Sequence, residues 1–307
     1  MNLSGPTGRW RHTGGRFNPA LGAAFPSRLR ASLRAFVLSG MVVALMACSS
    51  PPAATPTAHI LHIVAPDSTL PLLHDLVDAY QQTAPSGITF DLRPANSQLA
   101  LQALHAGTAD LAMSSWLTST DLPGLAVVPV AWDAAAVVVH PRNPITDVTL
   151  LQLRNLYRGH TLDWSAFGGS AGETIVISRE DGAGVRTAFE QAVMNDQPVT
   201  LGAVVMPNDA AVMDFVASRP AAIGYVSLLG LTTAGSRDKQ SAQVKTLPVE
   251  GVVPTAADLL QGGYHLVYPL YLLARQPVAA PLQSFFDFVL SPGGQAVVAQ
   301  STTGMRK

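Results

Sequence analysis

Hydrophobic and polar positions follow two different periods along the chain, and short apolar runs alternate with amphipathic segments from His59 onward. Short β-branched apolar runs are typical of buried strands, whereas apolar positions with a period near 3.6 residues are typical of helices. The pattern predicts strands over 59–65, 88–94, 109–115, 125–141, 173–178, 221–227, 244–251 and 265–275, and helices beginning near 68 and over 98–107, 149–159, 185–194, 209–220 and 281–291. This alternation predicts an α/β protein with sheets rich in parallel strands.

The first fifty residues follow a different pattern. Arginines between residues 28 and 34 precede an uncharged apolar run over 35–47, which ends at Cys48. A basic flank, a short apolar core and small residues before the cleavage point are typical of a secretory signal, and the run is shorter than the roughly 20 residues of a membrane-spanning helix.

The sequence LMAC (45–48) also resembles the lipobox of bacterial lipoproteins. This resemblance implies cleavage before Cys48 and attachment of lipid to its thiol. We therefore expect a signal peptide over 1–47, a lipidated tether over 48–58, and a periplasmic or extracytoplasmic location with the lipid held in a bacterial membrane.

The number of cysteines, the spacing of the histidines and the net charge argue against several kinds of site. Cys48 is the single cysteine, so no disulfide or thiol chemistry is expected in the domain that follows it. The eight histidines are scattered without a ligand-like spacing, and no metal site or cofactor is expected. Six of the nineteen basic residues precede Cys48 and all twenty acids follow it, so the remainder carries a net charge of −7. Such a domain is a poor partner for nucleic acid.

Three strand exits share one order of residues: a strand, then small or polar residues, then a helix start. They are APDST (65–69), PANSQ (94–98) and REDGAGV (179–185). Helix N-termini present free N–H groups and a partial positive charge, so three of them meeting at one point would surround a small oxyanion. Ser68 and Ser97 would add hydroxyls, and Arg179 would add a planar charged fork. For each junction taken alone, ordinary helix capping is the alternative.

Several ordered segments together resemble one known family. They include STLPLLHDLVDAY, NSQLALQALHAGTADLAMSS, DWSAFGG, ISREDGAGVRTAFE, AAIGYVS and FFDFVLSPGGQAVV. From about His59 onward the chain resembles the periplasmic phosphate-binding proteins of phosphate ABC transporters. The resemblance implies an α/β, two-lobed type II periplasmic-binding-protein (Venus-flytrap) fold, in which the lobes close on the ligand across two crossing hinge strands.

The resemblance also implies how the chain divides and what it contacts. The first lobe is expected over 59–133 plus 268–307 and the second over 134–267, with crossings around 132–139 and 267–273. We expect a monomer that makes and breaks no bond, binds inorganic phosphate, and then docks on the permease of an ABC transporter.

The ligand residues implied by the resemblance match unevenly. They fall on Asp67, Ser68, Ser97, Ser115, Arg179, Asp181, Gly184 and Val185. Ala183 and Val185 stand where the family has hydroxyl residues, and Asp67 also replaces one. Because each hydrogen bond to a charged ligand contributes about 1.5–3 kcal/mol, losing two donors weakens binding unless other groups compensate. Asp67 either selects a protonated oxyanion, which has a proton to donate, or serves as an N-cap facing solvent.

Other functions remain as alternatives. A sensor or accessory module of the same fold with weakened phosphate binding fits the lost hydroxyls, and so does a binder of molybdate, tungstate or sulfate. A hydrolase is disfavoured because GGSAG (168–172) precedes a predicted strand, whereas a nucleophile elbow follows one. DGAGVRT is one glycine short of a dinucleotide fingerprint and lies deep in the chain. The protein is therefore not expected to be an enzyme.

Overall fold

Seven ranges of the chain are described by a computed structural model, namely 59–83, 88–161, 163–169, 172–195, 197–237, 243–301 and 303–304. The predicted signal peptide, Cys48 and the predicted tether lie outside these ranges, and so does Ser170 of the GGSAG segment. Across the described ranges, no helix has both the length and the apolar character needed to cross a membrane.

Strands and helices alternate through most of the described chain. The strands are β1 His59–Ala65, β2 Ile88–Pro94, β3 Leu111–Ser114, β4 Leu125–Val139, β5 Ile175–Arg179, β6 Val204–Met206, β7 Ala222–Ser227, β8 Lys245–Thr246, β9 Val267–Arg275 and β10 Thr303–Gly304. The α-helices are α1 Leu70–Thr83, α2 Ser97–Ala106, α3 Leu150–Tyr157, α4 Gly184–Phe189, α5 Asp209–Ser218, α6 Leu228–Arg237, α7 Ala256–Gln261, α8 Ala280–Leu290 and α9 Pro292–Ser301. Two 3₁₀-helices span Asp67–Thr69 and Trp164–Phe167, and a π-helical turn spans Glu190–Met194.

The strands follow the order β2-β1-β3-β9-β4-β7-β5-β6, with β8 and β10 also paired to β4. Strands β1, β2 and β3 are mutually parallel at one end of this order, and β5, β6 and β7 are parallel at the other. The two central strands run antiparallel to their neighbours. Parallel strands joined through helices bring their carboxyl ends to one edge, where binding sites of open α/β sheets form.

Strand β4 joins the two parallel groups by changing partners along its length. Its residues 125–134 pair with β9, and its residues 135–139 pair with β7. The predicted α/β class, with strands and helices alternating and parallel strands at both ends of the order, is confirmed. The described ranges all fall within one compact unit, and the lobe boundaries remain a prediction.

Local chemistry explains where the structure departs from the predicted elements. The predicted helix over 185–194 divides into α4 and the π-helical turn. The predicted strand over 244–251 is reduced to β8, since Pro248 has no N–H to donate to a ladder. Helix α9 was missed because its opening Pro-Gly-Gly is typical of a turn, although proline is favoured at the first helical position.

A buried aromatic cluster lies behind the end of β5. Tyr157, Phe189 and Tyr225 are fully buried, and the rings of Phe189 and Tyr225 stack with centroids 4.0 Å apart. The Tyr225 hydroxyl shares a hydrogen bond of 2.9 Å with Ser178 and accepts one of 3.3 Å from the amide of Arg179. The cluster therefore fixes the backbone position from which the Arg179 side chain projects.

Removing the central ring of this cluster is expected to destabilise the protein strongly. Phe189→Ala leaves a cavity between two tyrosines, and such substitutions lower the free energy of unfolding by about 3–5 kcal/mol. The control is Leu201→Ala, because Leu201 is fully exposed and its truncation is expected to change stability by less than about 0.5 kcal/mol. Denaturant unfolding of both variants measures the difference, and similar losses of stability in the two would contradict the packing of Phe189 between the tyrosines.

Candidate functional site

A cavity of about 390 Å³ lies at the carboxyl ends of the parallel strands. The loops that follow β1, β2, β3, β5 and β6 all reach it, and the two central strands form its base. The main lining groups are residues 66–69, 94–97, Leu99, Ser115, Asp133, residues 179–180, 183–185 and 207–209, Tyr268 and Leu270. This is the position in which α/β folds bind small ligands.

The structure brings most of the predicted site residues to this cavity. Those that line it are Asp67, Ser68, Ser97, Ser115, Arg179, Gly184 and Val185. Asp181 does not line it, because its side chain is 92% exposed and forms an ion pair with Arg186. The predicted role of Asp181 as a ligand contact is therefore not supported by its position.

Arg179 is a nearly buried cation whose charge is already shared with two acids. Its side chain is 9% exposed, and its Nε donates to Glu180 Oε2 at 3.0 Å. Its Nη1 donates to Asp209 Oδ1. Among the described residues that line the cavity, Arg179 is the one basic side chain. Because a guanidinium has five N–H donors, these pairs leave further donors for a ligand.

Asp209 opens helix α5 and is held on both of its oxygens. Oδ1 accepts from Arg179, and Oδ2 accepts from the amide of Ser227 at 3.3 Å. Burial raises the pKa of Asp209 to about 6, since the attraction of Arg179 offsets only part of the desolvation and Asp133 adds repulsion. Asp209 thus retains a proton much closer to neutral pH than an exposed carboxyl does.

Asp133 lies at the point where β4 changes partners. Its Oδ2 accepts from the hydroxyls of Ser227 at 2.6 Å and Tyr268 at 2.8 Å. Its Oδ1 accepts from the amides of Ala134 at 2.8 Å and Leu229 at 3.0 Å. Burial raises the pKa of Asp133 and these four donors oppose that shift. The carboxylate thereby ties β4, β7, β9 and the first turn of α6 together.

The first turn of α2 is satisfied by protein groups rather than left open. Gln98 N donates to the carbonyl of Gly182 at 3.1 Å, and Leu99 N donates to the side chain of Asn96 at 3.0 Å. The Asn96 amide also donates to the carbonyl of Asp181 at 3.2 Å. The sequence predicted that amides of this helix start would face an anion; two of them instead join α2 to its own cap and to the loop after β5.

Glycines permit the loop after β5 to approach α2 this closely. At Gly184, a Cβ atom would lie 2.0 Å from Ser115 Oγ and 2.6 Å from Ser97 Oγ. Gly182 has φ +81°, and a Cβ there would lie 2.6 Å from Gln98 Oε1. The hydroxyls of Ser97 and Ser115 share a hydrogen bond of 3.2 Å beneath this contact. Both glycines are therefore required by close approach, and Gly182 also by its left-handed backbone.

Sequence reasoning missed several residues of the cavity wall. They are Asp133, Glu180, Asn208, Asp209 and Tyr268. Asp133 carried a usable signal, because it is the single charged residue in the apolar strand β4. The Asn-Asp pair at the start of α5 repeats the strand, polar pair and helix order of the three recognised junctions. No group of three or more potential metal-binding side chains occurs within the described ranges.

The chain belongs to the PBP superfamily, since the model of the PBP superfamily domain matches residues 50–293. It is 24% identical over 195 residues to phosphate-binding protein PstS of Bacillus subtilis, a match that covers 64% of this chain and 62% of that protein, which is less than two thirds of the relative's length. It is 27% identical over 304 residues to phosphate-binding protein PstS of Pseudomonas aeruginosa, covering 89% and 93%.

A solved structure of a substrate-binding protein with bound phosphate from Clostridium perfringens superimposes with a TM-score of 0.73. The two chains are 26% identical, and the match covers 81% of this chain and all of that one. These matches confirm the family resemblance predicted from the sequence and the predicted α/β, two-lobed type II periplasmic-binding-protein fold.

The contact at Gly184 provides a direct test of the site geometry. Gly184→Ala is expected to lower the free energy of unfolding by about 1–3 kcal/mol, because the added methyl group overlaps the Ser115 hydroxyl. The control is Gly202→Ala, where the nearest atom, Thr200 Oγ1, lies 3.7 Å from the new Cβ. Combining Gly184→Ala with Ser115→Gly should restore part of the loss. Equal stability of the two single variants in denaturant unfolding would refute this contact.

Proposed function

We propose that this protein is an extracytoplasmic solute-binding protein that captures inorganic phosphate for an ABC transporter. The observation that carries the proposal is the meeting of Ser68, Ser97 and Arg179 at one cavity, although they come from three separate strand exits. The similarity to proteins named phosphate-binding protein supports the choice of ligand. A guanidinium, hydroxyls and main-chain amides at one cavity together suit the binding of an oxyanion.

Each wall of the cavity has a defined role in this proposal. The donors of Arg179 that Glu180 and Asp209 leave unused bind two ligand oxygens. The hydroxyls of Ser68, Ser97 and Ser115 donate hydrogen bonds to the remaining oxygens of the ligand. The amides at the start of α4 take the place of the hydroxyls lost at Ala183 and Val185, because a backbone N–H is present whatever the side chain.

Ligand capture proceeds by closure of two lobes, the first spanning 59–133 plus 268–307 and the second 134–267. The cavity is lined from both, which supports this division. The hydrogen bond from Gln98 N to the Gly182 carbonyl and the close approach of Gly184 to Ser115 join residues of different lobes, which supports closure across this cavity. The closed form then docks on a permease, while lipid on Cys48 keeps the protein at a bacterial membrane.

A sensor or accessory module with weak phosphate binding is the second candidate. It is favoured by the absence of hydroxyls at Ala183 and Val185 and by the use of the Gln98 amide in a protein contact. Binding of another oxyanion, such as molybdate, tungstate or sulfate, is the third. The affinity for phosphate distinguishes the first two functions. Transport from dilute medium needs tight phosphate binding, whereas a sensor or accessory module functions with weak binding.

Phosphate is expected to stabilise the protein, and Arg179 to be the largest side-chain contributor. At a concentration of about one hundred times Kd, a ligand adds about 2.7 kcal/mol to the free energy of unfolding. Arg179→Lys keeps the charge and loses the planar fork, so the Kd for phosphate should rise about 10- to 150-fold, the equivalent of 1.5–3 kcal/mol. The control is Arg142→Gln, since Arg142 is exposed and lies away from the cavity.

Thermal-shift and tryptophan-fluorescence titrations with phosphate, sulfate and molybdate measure these effects. No response to any of the three would leave the sensor module as the better function. A stronger response to molybdate than to phosphate would select the third candidate instead.

Asp67 is expected to help select a protonated oxyanion. It is exposed and lines the cavity, where a carboxylate repels an anion that has no proton to donate. Asp67→Asn should therefore bind sulfate more tightly and lower the preference for phosphate by about tenfold, the equivalent of roughly one hydrogen bond. Competition titrations measure the preference. If it is unchanged, Asp67 is only the first residue of its 3₁₀-helix.

A further inference from the structure

The side chain of Asp181 lies outside the cavity, but its main chain contacts helix α2 on the opposite side. The carbonyl of Asp181 accepts a hydrogen bond of 3.2 Å from Asn96 Nδ2. The carbonyl of Gly182 accepts one of 3.1 Å from Gln98 N. Asn96 and Gln98 belong to the first proposed lobe, and residues 181–182 belong to the second. Two consecutive carbonyls therefore join the lobes beside the cavity, and both hydrogen bonds use protein groups alone.

The loop that carries these carbonyls is held from behind by Arg186. The Nη1 of Arg186 donates to Asp181 Oδ1 at 2.5 Å and to the carbonyl of Arg179 at 3.0 Å. Its Nε donates to Glu190 Oε1 at 2.7 Å. Gly182 has φ +81°, a left-handed conformation that glycine adopts without strain. The outward ion pair of Asp181 therefore helps to hold the two carbonyls in the direction of α2.

Asn96 uses both ends of its amide group at this contact. Its Oδ1 accepts from Leu99 N at 3.0 Å, which caps helix α2, and its Nδ2 donates to the carbonyl of Asp181. Serine caps a helix about as well as asparagine does, but it has no amide N–H to donate. The donor end of Asn96 is therefore not needed for capping, and its partner lies in the other proposed lobe.

The two lobes approach most closely next to Asn96. A Cβ atom at Gly182 would lie 2.8 Å from Gln98 Cβ and 3.1 Å from Asn96 Oδ1. At Gly184, a Cβ atom would lie 2.6 Å from Ser97 Oγ. Separation of this loop from α2 breaks both hydrogen bonds and this packing together. The cavity therefore cannot open along this side while the Asn96 contact is intact.

We propose that Asn96 is a positioning residue that holds the lobes closed through the main chain of residues 181–182 and so sets how long a ligand stays bound. This inference rests on the proposed function for its ligand, inorganic phosphate, and for its division into lobes. Because the two hydrogen bonds involve no ligand, they also favour the closed arrangement of the phosphate-free protein. Asn96 thus acts on the release of phosphate through the opposite loop.

Asn96→Ser removes the contact between the lobes and keeps the helix cap. Release of radiolabelled phosphate, chased with an excess of unlabelled phosphate, should become about 2- to 12-fold faster, the equivalent of about 0.5–1.5 kcal/mol for one neutral hydrogen bond. The association rate, obtained from the release rate and Kd, should not fall, because phosphate enters the open form before this contact is made. Asn96→Ala also removes the cap and should unfold at a lower denaturant concentration than Asn96→Ser.

Thr149→Ser is the matched control, because Thr149 caps helix α3 and lies away from the cavity. This variant should release phosphate at the wild-type rate. Release as fast as that of Asn96→Ser would show that the effect is not specific to residue 96, and the inference would then be wrong.

Asn96 also lines the cavity, so a double-mutant cycle must separate the proposed role from a direct contact with phosphate. Gly182 lies outside the cavity wall, and a side chain there would displace the loop from Gln98. Gly182→Ala should therefore release phosphate faster, and adding Asn96→Ser to it should cause little further change. Fully independent effects of the two substitutions would assign Asn96 to a ligand contact and overturn the inference.

Small-angle X-ray scattering tests the same contact without any ligand. The phosphate-free Asn96→Ser protein should have a larger radius of gyration than the phosphate-free wild-type protein, because its lobes open more often. Where the wild-type protein binds phosphate, the release rate decides, and an unchanged rate in Asn96→Ser overturns this inference alone. If the wild-type protein binds no phosphate, the proposed function fails, and equal radii would then overturn the inference about Asn96 as well.

Discussion

Burial of the Arg179 guanidinium at the end of β5 is the constraint on which the site depends. A buried cation without acceptors is strongly destabilising, so the structure supplies Glu180 from the next position and Asp209 from the start of α5. Asp209 in turn needs a donor on its second oxygen and obtains it from Ser227. One arginine thus requires that the ends of β5 and β7 and the start of α5 lie at the same place, which several loops also reach.

The requirement extends to the crossing strands. The Ser227 hydroxyl donates to Asp133 and the Ser227 amide donates to Asp209. Ser227 therefore connects Asp133, on strand β4, with Asp209, the partner of Arg179. Tyr268 on β9 completes the path by donating to Asp133. Such fully satisfied polar networks favour one arrangement, because each member that loses its partner is left buried and unpaired. The same hydrogen-bond network therefore holds Arg179 in place and stabilises β4 at the point where it changes partners.

The sequence predicted most strands and the three junctions because these depend on local pattern. Apolar β-branched runs and capping residues have the same preferences wherever they occur. Asp181 shows where local reasoning stopped: it lies two residues after Arg179, yet its side chain turns outward to Arg186. The Gln98 amide is a second example, since only the fold reveals that it donates to the carbonyl of Gly182. Spacing along the chain does not specify which of several nearby partners a polar group finds.

The alternation of strands and helices, the family resemblance and the residue types at the strand exits could all be predicted from the sequence. Hydrophobic period and helix capping are properties of neighbouring residues, so they are readable along the chain. The fold was needed to reveal that Asp133 and Asp209 line the cavity and that Arg179 is already paired with two acids. The physical reason is that burial sets both the strength of an ion pair and the protonation of its carboxylate, and burial depends on packing between residues far apart in sequence.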